Sequence, residues 1–385
     1  MIRVVHAGDP GEARRRLEFH GVVPADGARL LRDLRPYLFR IPREGAQALL
    51  PLLDRLKVPS AWGKGALFFS VSSADQLEEW TAGEAEARTA SMRAGEALRR
   101  YLAKDFVVPC RGRELALEGA PTIMGILNVT PDSFSDGGRF LSAEAAVRRG
   151  VAMAEEGAGI IDVGGESTRP GSLPVPADDE IARAVPVIRE LARSTDVPLS
   201  IDTTKSAVAR AAIDAGACIV NDTSALADDP EMARVVAESG CAVVLMHRRG
   251  TPATMQRSPH YESLFDEMLE ELEERMAAAA RAGIPVERIL VDPGVGFGKR
   301  FEDNLALHRH LPDLRNLGRP VVFGPSRKAF IGRITGKEAP ERIFGTAASV
   351  AFAASLGAQV LRVHDVKEMQ EVVQVVAAVR EGAEC

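Results

Sequence analysis

The chain has 385 residues, room for two or three domains at about 150 residues each, or for one large α/β barrel with a small appendage. Its 48 Lys and Arg against 54 Asp and Glu leave a net charge of −6, which excludes a generally basic surface for wrapping nucleic acid or coating an anionic membrane. At 46% hydrophobic and 26% charged it carries a large core, and its four cysteines, Cys110, Cys218, Cys241 and Cys385, share no CxxC spacing for a zinc site or a disulfide framework.

The polar opening from Met1 to Arg16 is no secretory signal, and no run of about 18 apolar residues follows, so the expectation is a soluble, cytoplasmic protein. Residues 1–105 read as a small α/β or helical accessory domain. Strands are expected at Ile2–His6 and Ala66–Val71. An apolar stripe at helical spacing (Leu49, Leu50, Leu52, Leu53, Leu56) marks Glu44–Leu56. A capping box at Ser73–Gln76 opens a helix towards Tyr101. This region holds no cluster of nucleophile, base or metal ligand.

Residues 106–385 have a different texture. A hairpin of Phe106–Cys110 and Glu114–Leu117 turns at Arg111–Arg113. Eight short apolar runs follow: Thr122–Val129, Ile160–Gly164, Leu199–Thr203, Cys218–Asp222, Ala242–His247, Ile289–Pro293, Val321–Gly324 and Gln359–His364. Amphipathic stretches such as Ala143–Glu156, Asp178–Arg193, Ser206–Ala215 and Ser263–Ala282 lie between them. Apolar runs without strict alternation suit parallel strands covered on both faces. Eight β-then-α repeats match a (β/α)8 TIM barrel; a doubly wound open sheet is the structural alternative.

A barrel gathers the C-terminal ends of its strands at one mouth. Those ends carry Asn128, Asp162, Glu166, Asp202, Asn221, Asp222, His247, Asp292, Ser326, Lys328, Arg362 and His364. One Asp at a strand end is ordinarily a helix cap, but twelve polar groups at eight strand ends exceed what capping needs. Arg362 and His364, two apart, share a strand face and with Lys328 would clamp a phosphate or diphosphate. Asp202, Asn221 and Asp292 suit a flat ring with several N–H donors and a carbonyl, such as a pterin or guanine; the alternative is a salt-bridge network knitting the mouth together.

Two long loops, Asn128–Gly138 with Phe134 and the Gly/Pro-rich Gly164–Pro176, read as covers for a substrate. The glycines of Pro293–Lys299 match neither a phosphate loop nor a dinucleotide fingerprint; close approach of backbone to a ligand, with Phe297 as an apolar wall, is the expectation. His247–Arg249 reads either as an anion site or as a solvated loop, and His308 and His310, near Asp303, as a solvated helix face.

Met124–Gly138, Ile161–Gly171, Ser200–Thr203, Asn221–Asp222, Asp292–Lys299, Ser326–Lys328 and Arg362–Asp365 together resemble the dihydropteroate synthase family, in the family's order and from Thr122 to the C-terminus. The chain departs from the family pattern at Pro325 and Ala329, which flank the Ser-Arg-Lys motif. The resemblance implies a (β/α)8 barrel that joins 6-hydroxymethyl-7,8-dihydropterin diphosphate to 4-aminobenzoate. It implies that Asp202, Asn221, Asp292 and Lys328 hold the pterin, with Met246 packed against it. Asn128, Arg362 and His364 would hold the diphosphate, Asn128 also touching Mg2+. Phe134, Thr168, Arg169, Pro170, Phe297 and Ser326 would shape the aminobenzoate site.

The residues agree with a substitution that needs no protein nucleophile, since no Ser/His/Asp or Cys/His arrangement is present. Asn128, Asp202, Lys328, Arg362 and His364 form the expected catalytic set. The expected partners are the two small-molecule substrates and a second copy of the chain in a homodimer, with no nucleic acid and no membrane. The rival readings are a pterin-binding methyltransferase, which needs no diphosphate clamp, and a catalytically silent pterin-binding paralogue.

Overall fold

Short antiparallel strands open the chain in a computed structural model that describes residues 2–6, 9–32, 35–47, 49–79, 85–130, 139–168 and 171–382. They are β1 (Arg3–Val5), β2 (Tyr37–Pro42), β3 (Ser60–Gly63) and β4 (Ala66–Val71), in the order β1-β2-β4-β3. Side chains alternate across a strand, and here both faces are apolar. Phe39, Ile41, Leu67, Phe69 and Val71 pack with Leu49, Leu53, Ala94 and Leu98 on one side. Leu38, Ala66 and Phe68 pack with Leu17, Val22 and Leu30 on the other.

The helix expected over Glu44–Leu56 is two, Arg43–Ala46 and Leu50–Arg55, and the one expected from Ser73 towards Tyr101 is Ala74–Glu79 and Ala85–Leu102. The capping contact forms: Gln76 N donates to Ser73 Oγ at 3.3 Å. This compact unit comprises Met1–Ala103 together with Pro312–Gly318. Asn316 pairs with the edge of β1 as a strand would, accepting from Val4 N at 2.7 Å and donating to Val4 O at 2.8 Å. Asp313 accepts from Arg16 Nη2 at 2.5 Å and from His6 N at 3.1 Å.

The second unit, Lys104–Leu311 with Arg319–Cys385, is a TIM barrel. A hairpin of β5 (Phe106–Cys110) and β6 (Arg113–Leu117) turns through Arg111 and Gly112, both at positive φ, as a two-residue primed turn requires. The barrel strands are β7 (Thr122–Asn128), β8 (Ile160–Gly164), β9 (Leu199–Asp202), β10 (Ile219–Asp222), β11 (Ala242–Met246), β12 (Ile289–Asp292), β13 (Val322–Phe323) and β14 (Val360–Val363). All pair in parallel in the order β12-β11-β10-β9-β8-β7-β14-β13, and a bridge between Val291 and Val321 joins the two ends. Among the described residues no helix is long and apolar enough to cross a membrane.

The interior follows from the two-residue period of a strand. Met124, Ile160, Ile219, Val244, Leu290, Val322 and Val360 form one apolar cluster with Val108, Cys110, Leu115 and Leu117 of the hairpin, which seals the end where the strands begin. Residues two or four positions further along each strand point the same way. These are Asn128, Asp162, Asp202, Asn221, Met246, Asp292, Gly324 and Arg362, and they line the opposite end.

Candidate active site

Asp162, Asn221, Asp292 and Arg362 come from β8, β10, β12 and β14, the alternate strands that build one layer of a barrel interior. Arg362 donates from Nε to Asp162 Oδ2 and from Nη2 to Asp202 Oδ2, each at 2.7 Å. Asn221 Nδ2 donates to Asp162 Oδ2 at 3.0 Å. Asp292 Oδ1 accepts from Gly294 N at 2.7 Å. Among the described residues the Oδ1 atoms of Asp162 and Asp202 are buried with no hydrogen-bond partner, a costly arrangement unless a ligand supplies donors.

Asp202, Asp292 and Arg362 titrate away from their ordinary values. Burial pushes the Asp202 carboxyl up to about 7, against the pull of Arg362 and with the nearby Asp162 charge adding to the rise. Burial raises Asp292 too, opposed by the Gly294 N–H and the Lys328 charge. Burial works against the Arg362 charge as well, but Asp162 and Asp202 more than offset it and hold the guanidinium above its ordinary value.

Lys328 reaches the same mouth from the loop after β13, its Nζ 4.3 Å from the centre of the Phe297 ring. Met246, Phe297 and Met255 form an apolar cluster beside it, so the ring-shaped opening has charged and apolar walls. Asn128 and Asp202 flank Gly164: a Cβ there would lie 3.6 Å from Asn128 Oδ1 and 3.7 Å from Asp202 Cβ. His364 Nδ1 and Ser326 Oγ are 2.9 Å apart, and Ser326 Oγ also accepts from His364 N. Ser326 thus orients His364. Thr168 is half-buried on the loop after β8, while Arg169, Pro170 and Phe134 lie outside the described residues.

Other motif residues are structural. Asp222 faces away from the mouth and closes a turn, accepting from Ser224 N, Ser224 Oγ and Leu226 N. His247–Arg249 is neither an anion site nor a solvated loop. Arg248 pairs with Asp228 at 2.7 Å, and Arg249 pairs with Glu267 and Glu271 and lies over Tyr261. His247 is buried and binds Glu271 Oε2 at 2.9 Å; burial lowers its pKa to about 4. In Pro293–Lys299, Gly294 and Gly298 lie against a neighbouring loop, where a Cβ would come 2.1 Å from His247 O and 2.6 Å from Arg249 O, while a Cβ on Gly296 would lie 3.4 Å from Lys328 Cδ. His308 is not solvated but buried, bound to Asn304 O and Ser349 Oγ, and Asp303 caps its helix through Arg300 N.

Two lysines, the buried Lys299 and the half-buried Lys205, escaped the sequence reading. Lys299 Nζ binds His247 Nδ1 at 3.0 Å and donates to Phe297 O at 3.1 Å, pinning the loops after β11 and β12 together. Burial lowers it to about 7. Lys205 joins Glu166 to the fully buried Glu180, and Glu166 Oε1 also accepts from Val175 N, so the base of the loop after β8 is tied at both ends. An amphipathic pattern carries no signal for such contacts, because they depend on which loops meet.

Alternating inward charges above an apolar plug, at the C-terminal end of eight parallel strands, define a TIM-barrel enzyme for a small molecule. The family model described as pterin binding enzyme matches residues 124–364, within the barrel unit. A dihydropteroate synthase from Synechocystis is 46% identical over 257 residues, covering 66% of this chain and 89% of that protein. The structure of dihydropteroate synthase from Xanthomonas albilineans with 4-aminobenzoic acid is 47% identical, covers 72% of this chain and 98% of its own, and superposes with a TM-score of 0.68. The same protein in complex with 7,8-dihydropteroate is 45% identical, covers 71% and 98%, and gives a TM-score of 0.65. The chain belongs to the dihydropteroate synthase family of pterin-binding enzymes.

Proposed function

We propose that the chain joins 6-hydroxymethyl-7,8-dihydropterin diphosphate to 4-aminobenzoate, releasing 7,8-dihydropteroate and diphosphate, and that diphosphate leaves before the amine attacks. The observation that carries this reading is the set of inward groups Asp202, Asn221, Asp292 and Arg362 on the matched motifs, with the buried Asp202 Oδ1 unsatisfied among the described residues. The Xanthomonas relative's complexes with 4-aminobenzoic acid and 7,8-dihydropteroate supply the substrate class.

In this reading Asp202, Asn221 and Asp292 accept from the N–H edge of the pterin, Lys328 donates to its carbonyl edge, and Met246 covers a ring face. Asn128, Arg362 and His364 face the diphosphate. The C–O bond at the methylene carbon breaks with its electron pair leaving on diphosphate, and the electron-rich dihydropterin stabilises the cation. The arylamine lone pair then forms the new C–N bond and the nitrogen loses its proton. Thr168, Arg169 and Pro170, with Phe134, Phe297 and Ser326, hold the arylamine in line. The protein thus contributes positioning and fixed charge, with no covalent intermediate.

Mg2+ fits this chemistry as an ion that arrives with its phosphates. Asn128 offers one hard oxygen donor, and among the described residues no group of three or more His, Cys, Asp or Glu could hold a metal alone. When bound it would offset the leaving group's charge.

The assembly we infer is a homodimer. Phe344 and Phe352 on one helix (Ile343–Ser355), and Val375 and Val379 on the next (Val366–Glu381), are exposed on packed neighbouring helices, an apolar face a second copy would cover. Light scattering should give twice the chain mass, and Phe344→Glu should halve it. Buried free Cys110, Cys218 and Cys241 fit a reducing cytoplasm.

Diphosphate release tests the function. Purified protein with the pterin diphosphate and Mg2+ is expected to form dihydropteroate when 4-aminobenzoate is added. Tight pterin binding without condensation, across several arylamines, would overturn the reading in favour of a silent paralogue.

A further inference from the structure

Asp162 has no role in the scheme above, yet it is fully buried at the centre of the mouth. Its Oδ2 takes two donors, Asn221 Nδ2 at 3.0 Å from β10 and Arg362 Nε at 2.7 Å from β14, so it reaches past one strand on each side. An oxygen that accepts two such bonds carries no proton. It therefore fixes the Asn221 amide in one sense, with the NH2 end held by Asp162 and the carbonyl oxygen left over.

We propose that Asp162 is a positioning residue that makes Asn221 an obligate acceptor towards the pterin and aims Arg362 between the two halves of the substrate. An amide left alone offers a ligand either a donor or an acceptor; a buried carboxylate behind it removes the choice. The Nε–Oδ2 contact likewise fixes the plane of the guanidinium, whose Nη2 is held by Asp202 at 2.7 Å. Selectivity for a ring edge rich in N–H groups then depends on a residue that touches no substrate atom. The proposal rests on the reading that Asn221 contacts the pterin.

The test is Asp162→Leu, close in volume but with no acceptor, beside the conservative Asp162→Asn. In the leucine variant Asn221 Nδ2 and Arg362 Nε both lose their shared acceptor, so position 162 no longer dictates the sense of Asn221. The dissociation constant for 7,8-dihydropterin diphosphate, by calorimetry, should rise at least about tenfold, while KM for 4-aminobenzoate stays within about twofold. In Asp162→Asn the amide oxygen can take both donors as Oδ2 does, which keeps the sense of Asn221 and the plane of the Arg362 guanidinium. That variant should keep most of the affinity lost in the leucine one.

Unchanged pterin affinity in folded Asp162→Leu overturns the proposal, and so does an asparagine variant that binds no better than the leucine one. Should the leucine variant fail to fold, the asparagine variant decides alone: folded, it must bind within about fivefold of wild type. Wild-type protein that fails to bind the pterin diphosphate would instead remove the underlying pterin reading, before any variant is compared.

Discussion

Two positions along the same strands separate the ends of the barrel, and between them the chemistry inverts. Ile160, Ile219, Leu290 and Val360 pack under the hairpin in an apolar cluster. Two residues on, facing the same way, are the buried Asp162, Asn221 and Asp292 and the half-buried Arg362, and among the described residues Asp162 Oδ1 has no hydrogen-bond partner. The closed end supplies packing free energy. The open end costs some of it, because charges are held out of water: burial lifts Asp202 to about 7. A strand's period of two lets one inward face serve both purposes without either compromising the other.

That separation makes strong predictions. Lys328→Ala at the mouth should cut kcat/KM for the pterin diphosphate at least about a hundredfold, near 3 kcal/mol of transition-state binding, with a melting temperature close to wild type. Near-normal kinetics would break the contrast at once. Leu290→Ala at the closed end should do the opposite, costing about 3 kcal/mol in denaturant unfolding while the folded enzyme keeps kcat/KM within about twofold.

The pH dependence sharpens the comparison from behind the mouth. Folded His247 titrates at about 4 against 6.5 for an ordinary histidine, so the unfolded chain takes up the proton first as pH falls. Its stabilisation is complete above pH 6.5 and is lost as pH falls towards 4, worth about 3 kcal/mol; Glu271, brought down to about 2 by His247 and Arg249, extends the loss to lower pH. Melting temperatures measured from pH 7 to 4 should fall, and His247→Gln should flatten the curve. The smallest effect is expected in the first unit. Asn316→Ala removes both bonds to Val4 and should cost about 1 kcal/mol, with both KM values unchanged. A shift in either KM would mean the first unit takes part in catalysis.

The barrel was legible because its strands are short apolar runs that stop at polar residues; observed bounds such as Ile160–Gly164 and Leu199–Asp202 fall within a residue of the runs read from sequence. In the first unit β2 and β3 escaped notice, since Arg40, Pro42 and Gly63 interrupt any apolar run, and antiparallel pairing with β4 rescues what pattern does not show. Within the mouth, residue types announced a ligand for rings and charges. Who holds whom did not follow: that Asp162 meets Asn221 and Arg362, or that Lys299 meets His247, depends on strand neighbours and on loops touching loops. The glycines after Asp292 suggest close approach to a ligand in the sequence; that Gly294 and Gly298 also make room for the backbone of the adjoining loop is visible only in the fold.

Those glycines limit what heredity can do here. Gly294 and Gly298, both at positive φ, lie so close to His247 O and Arg249 O that even a methyl group is excluded, so no missense codon at either position preserves the seating of the two loops. Between them only Val295 and Phe297 carry side chains. Inherited drift in acceptor preference along this wall has those two codons to work with, and a saturation library over residues 294–298 should return active survivors altered at 295 and 297, with glycine retained at 294 and 298.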